Sequence, residues 1–440
     1  MKSLAVKILS AVAVLIILVL TLMPKVIGAS IERAAIDNIL ALIPPEAESQ
    51  FEIRRNEFSD GWFSSSTTIE FIYTPIGIDA IALTMDFDID HGPLLHTDDG
   101  LSIGLAYAVI QPSIRNDLFD IAIAELPFPL PDITLNLLSR FDQSIWVNMN
   151  FSALNFSDAA GEFNFSGLNA NINVASDQSA YFSMQMGELS ATENAANSNV
   201  LISGMTVISS TAQINDILAE SRATLTIPLV SSTLPLPFSA LDIGIDYGLK
   251  ASSTKDNFSE LHQKIHVASI ESEIPINSFS WLTEVKQVNN DLLHDYYRLL
   301  SELQNEINAG AETVSADFTK LGQELYFLAI QNPLELNNQI EATSYDGNHS
   351  VELRALWRGL SALNTAEELD INAAIAALNI TLDISLDLES ILRSPLAGVV
   401  KPYARQGYLT VESGRILIEA NLQDSVFRLN GDELLLDQFF

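Results

Sequence analysis

The sequence predicts an α+β fold in which an N-terminal transmembrane helix precedes large curved antiparallel β-sheets with an inserted helical hairpin. Three observations predict it. The first 23 residues contain a long uncharged run, and apolar residues then alternate with a period of two from about 50 to 274. The period becomes helical from about 278 to 331, after which the alternation resumes.

These changes of pattern divide the chain into five predicted segments. They are a cytoplasmic tip and transmembrane signal-anchor at 1-29, a juxtamembrane helix at 30-45, a β-rich periplasmic domain at 46-277, a helical hairpin at 278-335, and a C-terminal β-rich region at 336-440.

An uncleaved signal-anchor is predicted at the N-terminus. The run from Ile8 to Met23 has no charged residue, and it can span a bilayer if Lys7 snorkels to the headgroups. A cleaved signal peptide is the alternative, with Lys2 and Lys7 as its basic region. The run is longer than a usual signal-peptide core, however, and no A-x-A site follows it. A single span before a long polar-patterned chain predicts a bacterial inner-membrane protein with its bulk in the periplasm.

A juxtamembrane helix is expected next. Apolar residues recur at helical spacing between Ser30 and Ile43, Ser30 can cap the helix, and Pro44 ends it.

The composition disfavours several classes of function. The chain of 440 residues has 22 basic and 56 acidic side chains, and this net charge of −34 disfavours binding to nucleic acid or to anionic lipid headgroups. It has no cysteine, so disulfides, thiolate metal sites and cysteine nucleophiles are excluded. An apolar content of 48% is ample for a core.

Strands separated by turns are predicted through the first β-rich segment. Asp60-Gly61 and Asp99-Gly100 are typical hairpin turns. The predicted strands are Thr67 to Tyr73, Ile78 to Met85, Leu101 to Ile110, Ala223 to Val230 and Ala240 to Leu249.

A weak repeat indicates how this sheet bends. In the segments 163–174, 181–193 and 200–212, an apolar strand is interrupted by a glycine and then resumes. The glycines are Gly167, Gly187 and Gly204, which stand 20 and 17 residues apart. This spacing fits three long antiparallel strands with a glycine bend in each, so a strongly curved sheet is expected.

A helical hairpin is predicted between about 278 and 331. The first helix is broken at Ala309-Gly310-Ala311, and the second runs from Thr313 to Ala329. The apolar stripe of the first helix consists of Leu282, Val285, Val288, Leu292, Leu299, Leu303 and Ile307. The stripe either packs on the sheet, which is the simpler interpretation, or forms a coiled coil with a partner.

Strands return after the hairpin. Asp346-Gly347 and Asn430-Gly431 mark two more turns, and short helices are predicted at Thr365 to Ala377 and Glu389 to Tyr403. The predicted strands are Gln339 to Ser344, Ser350 to Trp357, Asn379 to Leu388, Gly407 to Val411, Arg415 to Leu422 and Ser425 to Leu429.

Asp86, Asp88 and Asp90 form a candidate cation site. On a strand, these three side chains share one face, with Phe87, Ile89 and His91 on the other. An EF-hand loop is excluded, because its sixth and twelfth positions would be a histidine and a threonine.

Two interpretations of this segment stay open. One is a looser calcium or other cation site that includes His96, Asp98 and Asp99. The other, which we favour, is a half-buried strand whose acids lie in solvent. In that case His91 can hydrogen-bond the backbone beside the Gly92-Pro93 turn.

The segment Gly100-Leu101-Ser102-Ile103-Gly104 matches the G-x-S-x-G pattern of serine hydrolases. A nucleophile elbow needs a strand before it and a helix after it. Here a polar turn precedes the motif and a strand-like run follows it, so a plain turn into a strand is favoured over catalysis.

His262 and His266 have a spacing that can bind zinc on a helix. The glutamate of H-E-x-x-H is replaced by Gln263, and the surrounding residues alternate as in a strand. An exposed polar strand face is therefore favoured over a metal site.

Gly61-Trp62-Phe63 contains an aromatic pair directly after a turn. The pair could stack on a ligand or anchor an interface, but burial in the core is the more common role, and we favour it. Phosphate-loop and dinucleotide-binding patterns do not occur in the sequence.

The chain resembles the YdgA-like family of Gram-negative bacterial proteins of unknown function. The resemblance rests on the N-terminal anchor and three motifs, which follow one another in this order along nearly the whole chain. The motif residues are Gly61, Trp62, Phe63, Ser64 and Ser65 entering a strand, His91, Gly92 and Pro93 leaving one, and Gly407 and Tyr408 followed by Asn430 and Gly431. The resemblance implies an inner-membrane-anchored periplasmic protein. It brings no catalytic residue and no cofactor.

The functional prediction is a noncatalytic envelope protein that binds a partner or acts as a scaffold. The alternative is a lipid-handling module with an apolar groove in the curved sheet, by analogy with the architecture of AsmA-like envelope proteins. A metal-dependent or serine hydrolase is the lesser alternative. The predicted partners are the inner membrane, through the N-terminal helix, and a lipid or an envelope protein.

Overall fold

The computed structural model describes residues 23–25, 51–74, 81–98, 100–115, 131–194, 197–233, 237–253, 255–308, 316–360 and 370–434. Nearly all of the predicted transmembrane run and all of the predicted juxtamembrane helix lie outside these residues. No helix within them is long and apolar enough to cross a membrane.

Most of the described chain is β-strand. The first strands are β1 (Phe51–Asp60), β2 (Ser64–Tyr73), β3 (Ile81–His91), β4 (Leu94–Thr97), β5 (Gly100–Ile103), β6 (Ala106–Arg115) and β7 (Ile133–Ser139). The next are β8 (Ile145–Phe151), β9 (Leu154–Ser157), β10 (Gly161–Phe165), β11 (Leu168–Val174), β12 (Ala180–Met186), β13 (Leu189–Glu193), β14 (Ser198–Ile202) and β15 (Met205–Thr211).

Longer strands follow in the second half of the chain. They include β16 (Ser221–Ser232), β17 (Phe238–Ala251), β18 (Phe258–Val267), β19 (Ser269–Glu271), β20 (Ile276–Asn289), β21 (Leu334–Ser344) and β22 (Gly347–Trp357). The last strands are β23 (Leu378–Asp387), β24 (Thr410–Glu412), β25 (Arg415–Gln423), β26 (Val426–Leu429) and β27 (Asp432–Leu434).

The described helices lie late in the chain. They are α1 (Asn290–Asn308), α2 (Ala316–Gln331), α3 (Ile371–Ala377), α4 (Leu388–Arg393) and α5 (Ala397–Arg405).

The strands are antiparallel, as predicted, and most of them follow one another as a meander in a single sheet. Twenty-five of the described strands belong to one sheet, and β4 and β5 form a separate hairpin. The main ladder runs in the order β1, β2, β3, β6, β7, β8, β11, β12, β15, β16, β17, β18, β20, β21, β22, β23, β25, β26 and β27. Each strand in this order pairs with the next long strand along the chain, and shorter strands or the helical hairpin between β20 and β21 are inserted between such neighbours.

A line of breaks crosses this sheet at the predicted glycines. Gly167 lies between β10 and β11, Gly187 between β12 and β13, and Gly204 between β14 and β15. The φ angles of Gly167 and Gly204 are 95° and 138°, which side-chain-bearing residues rarely adopt. A Cβ atom at Gly187 would lie 2.6 Å from the Cβ of Ser166. The three predicted interruptions are confirmed, and they lie on adjacent strands.

The line of breaks continues beyond the glycines. Ile227 pairs with Ile243 and Leu229 with Leu241, so the ladder skips Pro228, which has no N–H to donate. Ala268 separates β18 from β19 and donates its N–H to the carbonyl of Leu241 at 2.9 Å. The sheet can therefore bend along one line.

The two largest clusters of buried apolar residues lie near the two ends of the strand order. One cluster, on β2, β3 and β6, consists of Ile69, Phe87, Ile89, Ala106, Ala108 and Ile110. The other lies where α4 and α5 cover the C-terminal strands, and it consists of Ile391, Val400, Leu409 and Ile416. The long middle of the sheet lies between these two cores.

The predicted helix from residue 278 is wrong up to Asn289, because β20 occupies this segment. A β-bulge explains the misleading spacing. Ser259 and Leu261 of β18 pair with Val288 and Val285, so β20 carries an extra residue, and Gln287 has a φ of 60°. The bulge puts Val285 and Val288 on one face although they are three residues apart, which imitates a helical period.

The two predicted helices are present as α1 (Asn290–Asn308) and α2 (Ala316–Gln331), while the predicted break at Ala309-Gly310-Ala311 lies outside the described residues. Asn289 caps α1 by accepting from the N–H of Asp291 at 2.8 Å, and its side-chain amide donates to the Asn332 Oδ1 at the end of α2 at 2.9 Å. The two helices leave the sheet at β20 and return at β21, and this amide pair closes their base.

Three further details of the secondary structure differ from the prediction. The predicted strand from Leu101 to Ile110 is broken at Gly104-Leu105, between β5 and β6. The predicted helix from Glu389 to Tyr403 is two helices, α4 and α5. At Asp346-Gly347 a hairpin is present, but its turn residues are Tyr345 and Asp346, with φ angles of 49° and 61°, and the glycine begins β22.

Two hairpin tips share a turn that the sequence analysis missed. The segments Asp142-Gln143-Ser144 and Asp177-Gln178-Ser179 each place glutamine at a φ near 70°, at 69° and 67°. The serine hydroxyl donates to the aspartate carboxylate at 2.7 Å in both turns. This hydrogen bond, helped by the serine N–H, holds the pKa of both carboxyl groups below the ordinary range.

Candidate functional site

The first two family-like motifs meet on neighbouring strands. Ser65 of β2 pairs with Ile89 of β3, and the Nε2 of His91 lies 3.0 Å from the Ser65 Oγ. The His91 N–H donates to the carbonyl of Phe63 at 2.8 Å. His91 is only 4% exposed. The histidine therefore faces inward as expected, but its ring bonds a side chain rather than the backbone beside the turn.

A tight corner follows His91. Gly92 donates to the Leu105 carbonyl at 2.7 Å, and Gly104 donates to the Pro93 carbonyl at 3.2 Å. A Cβ atom at Gly92 would lie 1.8 Å from the oxygen of Gly104. Glycine is required at this position because two backbone segments touch there.

Replacing His91 with alanine is expected to cost about 2 to 4 kcal/mol of unfolding free energy. The change leaves a cavity and removes the hydrogen-bond partner of the buried Ser65 hydroxyl. Urea unfolding followed by circular dichroism measures the change. His96→Ala is the control, because His96 is exposed and its loss should cost less than about 0.5 kcal/mol. Equal unfolding midpoints for the two variants would contradict the structural role of His91.

The three aspartates lie on the solvent face of β3. Asp86, Asp88 and Asp90 are exposed, while Phe87 and Ile89 between them are buried. Asp86 accepts a hydrogen bond from the Thr68 hydroxyl at 2.6 Å. Among the described residues, no group of three or more histidines and acids is placed to hold a metal ion. The half-buried strand with its acids in solvent is confirmed by this alternation of burial, and Asp99, which the looser cation site would include, lies outside the described residues.

The G-x-S-x-G segment forms the second strand of the β4–β5 hairpin and its end. Ser102 pairs with Leu95 of β4. A Cβ atom at Gly104 would lie 2.8 Å from the Ser139 carbonyl oxygen, so this glycine serves close packing. A strand, β6, follows the motif in place of the helix that a nucleophile elbow needs.

The two histidines of the zinc-like spacing lie on β18, each opposite a glycine of β17. His262 pairs with Gly248, and His266 pairs with Gly244. A Cβ atom at either glycine would lie 2.0 Å from the facing ring. Four residues along a strand separate the histidines by about 13 Å, which is too far for one metal ion. The rings cover the glycines, as aromatic residues do in other sheets.

The aromatic pair Trp62 and Phe63 lies at the β1–β2 turn. These side chains are 51% and 56% exposed, so the expectation of a core role is wrong. Gly61 closes the turn by donating to the Ser64 carbonyl at 2.9 Å, which directs the following residues outward.

The C-terminal motif residues also meet. The Asn430 side chain donates to the Gly407 carbonyl at 2.9 Å and accepts from the Glu419 N–H at 2.9 Å. Asn430 and Gly431 have φ angles of 51° and 87°, as a two-residue hairpin turn requires. The motif residues thus form two corners at opposite ends of the strand order.

The most extensive feature of the sheet is a row of directly paired apolar residues across fifteen strands. At about 4.8 Å per strand the row is about 65 Å long. We call it the apolar row. It consists of Phe87, Ile110, Leu135, Met149, Ala170, Met184, Val207, Leu225, Ile245, Ile265, Trp281, Ile340, Val351, Ile384 and Ile418.

The neighbouring residues on the other face are mostly polar. They pair in the same way across the same fifteen strands. This second row consists of Asp88, Val109, Asn136, Asn148, Asn171, Ser183, Ile208, Thr224, Asp246, Lys264, Leu282, Gln339, Glu352, Asp383 and Glu419. The sheet therefore has one apolar and one polar face along nearly its whole length.

The apolar row is buried at its beginning and accessible further on. Phe87 and Ile110 belong to the first buried cluster. From Met184 to Ile418 every member keeps part of its surface accessible, and Trp281 is 39% exposed. In a sheet packed against a second layer, such residues would be buried.

Sequence reasoning found the alternation in single strands but missed the row. A row needs the register between strands, which the sequence does not state. The available signal was that most of the predicted strands alternate in the same way.

One family model matches this chain over residues 1–437, and its description is "Bacterial protein of unknown function (DUF945)". No curated protein and no solved structure matches the chain. Since the match covers nearly all of the 440 residues, the chain belongs to the bacterial family of unknown function DUF945.

Proposed function

We propose that this protein is a noncatalytic protein of the bacterial envelope that holds lipid acyl chains against the apolar face of its sheet. The observation that carries the proposal is the apolar row, which is unbroken over fifteen strands and accessible from Met184 onward. Acyl chains are the ligand that this surface fits best.

The chemistry of a sheet face supports this choice. Within the sheet the backbone N–H and C=O groups bond to neighbouring strands, so the row presents apolar side chains and little unpaired backbone. A ligand gains free energy there by removing apolar surface from water, at about 25 cal/mol per Å². Acyl chains need no hydrogen-bond partner, whereas a folded protein partner would usually bring polar groups to the surface.

The length of the row also supports a lipid. The row of about 65 Å is about twice the thickness of the hydrocarbon core of a bilayer, which is about 30 Å. Its accessible part, from Met184 to Ile418, crosses ten strands and is about 43 Å long, which still exceeds the length of an acyl chain that spans half of that core. The C-terminal core under α4 and α5 closes the far end.

Anchoring in the inner membrane, a periplasmic location and the narrower YdgA-like assignment belong to the same proposal. The uncharged run from Ile8 to Met23 supports the anchor. A lipid-binding sheet beside a bilayer would have its ligand within reach.

Site-specific photo-crosslinking in cells tests the proposal. A benzophenone amino acid replaces Met184 on the apolar face or Ser183 on the polar face, and Trp281 or Ser280 in a second pair. After irradiation, mass spectrometry of the purified full-length chain should detect lipid adducts at positions 184 and 281. The matched positions 183 and 280 should give at most about a tenth of this signal, because they lie on the opposite face.

Two results would count against lipid binding. One is the absence of lipid adducts at both apolar positions. The other is equal labelling on the two faces, which would mean that membrane proximity alone causes the reaction.

A further inference from the structure

A cleft on the polar face of the sheet is unrelated to the apolar row. It lies between the β4–β5 hairpin and strands β6, β7, β8 and β11, and its volume is about 560 Å³. Volumes of this order hold small-molecule ligands. The hairpin contributes Asp98 and Leu101 to its wall, and the sheet contributes aromatic and amide side chains.

Asparagine amides form one wall of the cleft. Asn136, Asn148 and Asn171 pair directly on three neighbouring strands. Asn148 donates to the Asn171 Oδ1 at 2.9 Å, and Asn171 donates to the Asn169 Oδ1 at 2.9 Å. An amide has two N–H donors and two acceptor lone pairs, so this ladder keeps unused capacity. Asparagine is also disfavoured in strands, so packing alone does not explain the ladder.

One acceptor in this wall has no partner within the described part of the chain. Asn136 is 8% exposed, and its Nδ2 donates to the Asp98 carboxylate at 2.8 Å. Its Oδ1 is buried and accepts no hydrogen bond from any described residue. A buried acceptor of this kind destabilises the fold unless a donor meets it. A ligand hydroxyl or amide in the cleft can supply that donor.

Among the described residues that line the cleft, the charges balance, although the chain carries a net charge of −34. Those charged residues are one acid, Asp98, and one base, Arg140. The acid disfavours an anion, and the base together with the amide donors disfavours a cation. A neutral ligand with many hydroxyl groups fits this balance.

Trp146 adds an apolar surface next to the amides. It packs on the buried group of Leu95, Tyr107 and Leu138, which holds its ring in place. Sugar rings present C–H groups on their faces and hydroxyls at their edges, so they match a wall that joins an aromatic ring to amides. We propose that this cleft binds a neutral saccharide of one or two rings.

Calorimetric titration of the full-length chain in a sugar-free detergent tests the saccharide proposal. The neutral probes are maltose and N-acetylglucosamine, and the charged probes are glucosamine and galacturonic acid. We expect saturable binding of at least one neutral probe with a dissociation constant of about 1 mM or lower, and at least about tenfold weaker binding of the charged probes.

Three variants test whether the sugar binds in this cleft. Asn148→Ala should weaken the neutral probe about tenfold or more, because it removes one hydrogen-bonding group. Asn136→Leu should weaken binding at least as much and change the thermal midpoint little, because the buried acceptor without a partner and the hydrogen bond to the exposed Asp98 are lost together. Asn150→Ala is the control, since Asn150 is exposed on the same face outside the cleft, and it should change neither.

Absence of saturable binding by both neutral probes would overturn the proposal. Equal binding of charged and neutral probes would do so as well. Binding that survives both Asn148→Ala and Asn136→Leu would show that the sugar binds elsewhere, which also overturns it. Lipid crosslinking at positions 184 and 281 tests the apolar face, whereas the saccharide titration tests the cleft on the polar face. The lipid proposal and the saccharide proposal can therefore fail independently.

Discussion

Replacing Gly92 with alanine is expected to lower the free energy of unfolding by about 3 to 5 kcal/mol, or to prevent folding. The added Cβ would lie 1.8 Å from the Gly104 oxygen and 3.0 Å from the Leu105 oxygen. Both contacts are with backbone, so no side-chain rotation relieves them. The corner has to open, which adds the loss of up to three hydrogen bonds of about 1 kcal/mol each to the cost of overpacking.

The three hydrogen bonds explain why the effect spreads beyond the turn. Gly92 donates to Leu105, Gly104 donates to Pro93, and Leu105 donates to Ser139 at 2.8 Å. They join the end of β3, the β4–β5 hairpin and the end of β7. Opening the corner therefore disturbs three parts of the sheet at once.

Urea unfolding of the full-length chain measures this effect. Gly322→Ala is the control with the same chemical change, because Gly322 lies in α2 with open space around its Cβ position. Alanine there should stabilise the helix by about 0.5 to 1 kcal/mol. If Gly92→Ala unfolds at the same urea concentration as the unmodified chain, the close backbone contact at this corner is refuted.

Placing a glutamate in the apolar row is expected to reduce bound lipid by about tenfold or more. Met184→Glu and Trp281→Glu would each put a carboxylate beside the acyl chains. Taking a charge out of water costs several kcal/mol, and about 1.4 kcal/mol is enough for a factor of ten. If the introduced carboxylate stays hydrated instead, its water shell keeps the acyl chains away from that part of the apolar row.

Phospholipid per protein chain, measured by mass spectrometry after purification, gives the readout. Ser183→Glu and Ser280→Glu add the same charge one residue away on the opposite face, and they should retain the lipid. Circular dichroism melting compares the folding of the four variants. Equal lipid loss from both faces would argue against a binding role for the apolar row, and so would no loss from either.

Local patterns predicted much of the sheet. The strand alternation, the glycine interruptions and the Asn430-Gly431 turn are all found in the structure, because each depends on a few neighbouring residues. The wrong prediction of a helix where β20 lies also came from the spacing of a few neighbouring residues. A bulge at Gln287 imitates a helical period, and only the pairing with β18 reveals it.

The candidate sites were less predictable. His262 and His266 were predicted on an exposed polar strand face, and they do lie on a strand, but their rings cover glycines of the next strand. Trp62 and Phe63 suggested a core, but the β1–β2 turn exposes them. In both cases the surroundings of the side chain are set by residues on another strand or by the shape of a turn. The type of the residue alone therefore did not indicate whether it is buried, exposed or covering a glycine.

The sequence by itself determined an antiparallel sheet with glycine breaks, an acidic composition without cysteine, and which residues of each strand share a face. The tertiary structure decided which strands are neighbours and in which register. That register joined the apolar residues of fifteen strands into one row and gathered the asparagines of β7, β8 and β11 beside the β4–β5 hairpin. The physical reason is that alternation sets the face of a side chain within its own strand, whereas a binding surface depends on hydrogen-bonded pairing between strands far apart in the chain.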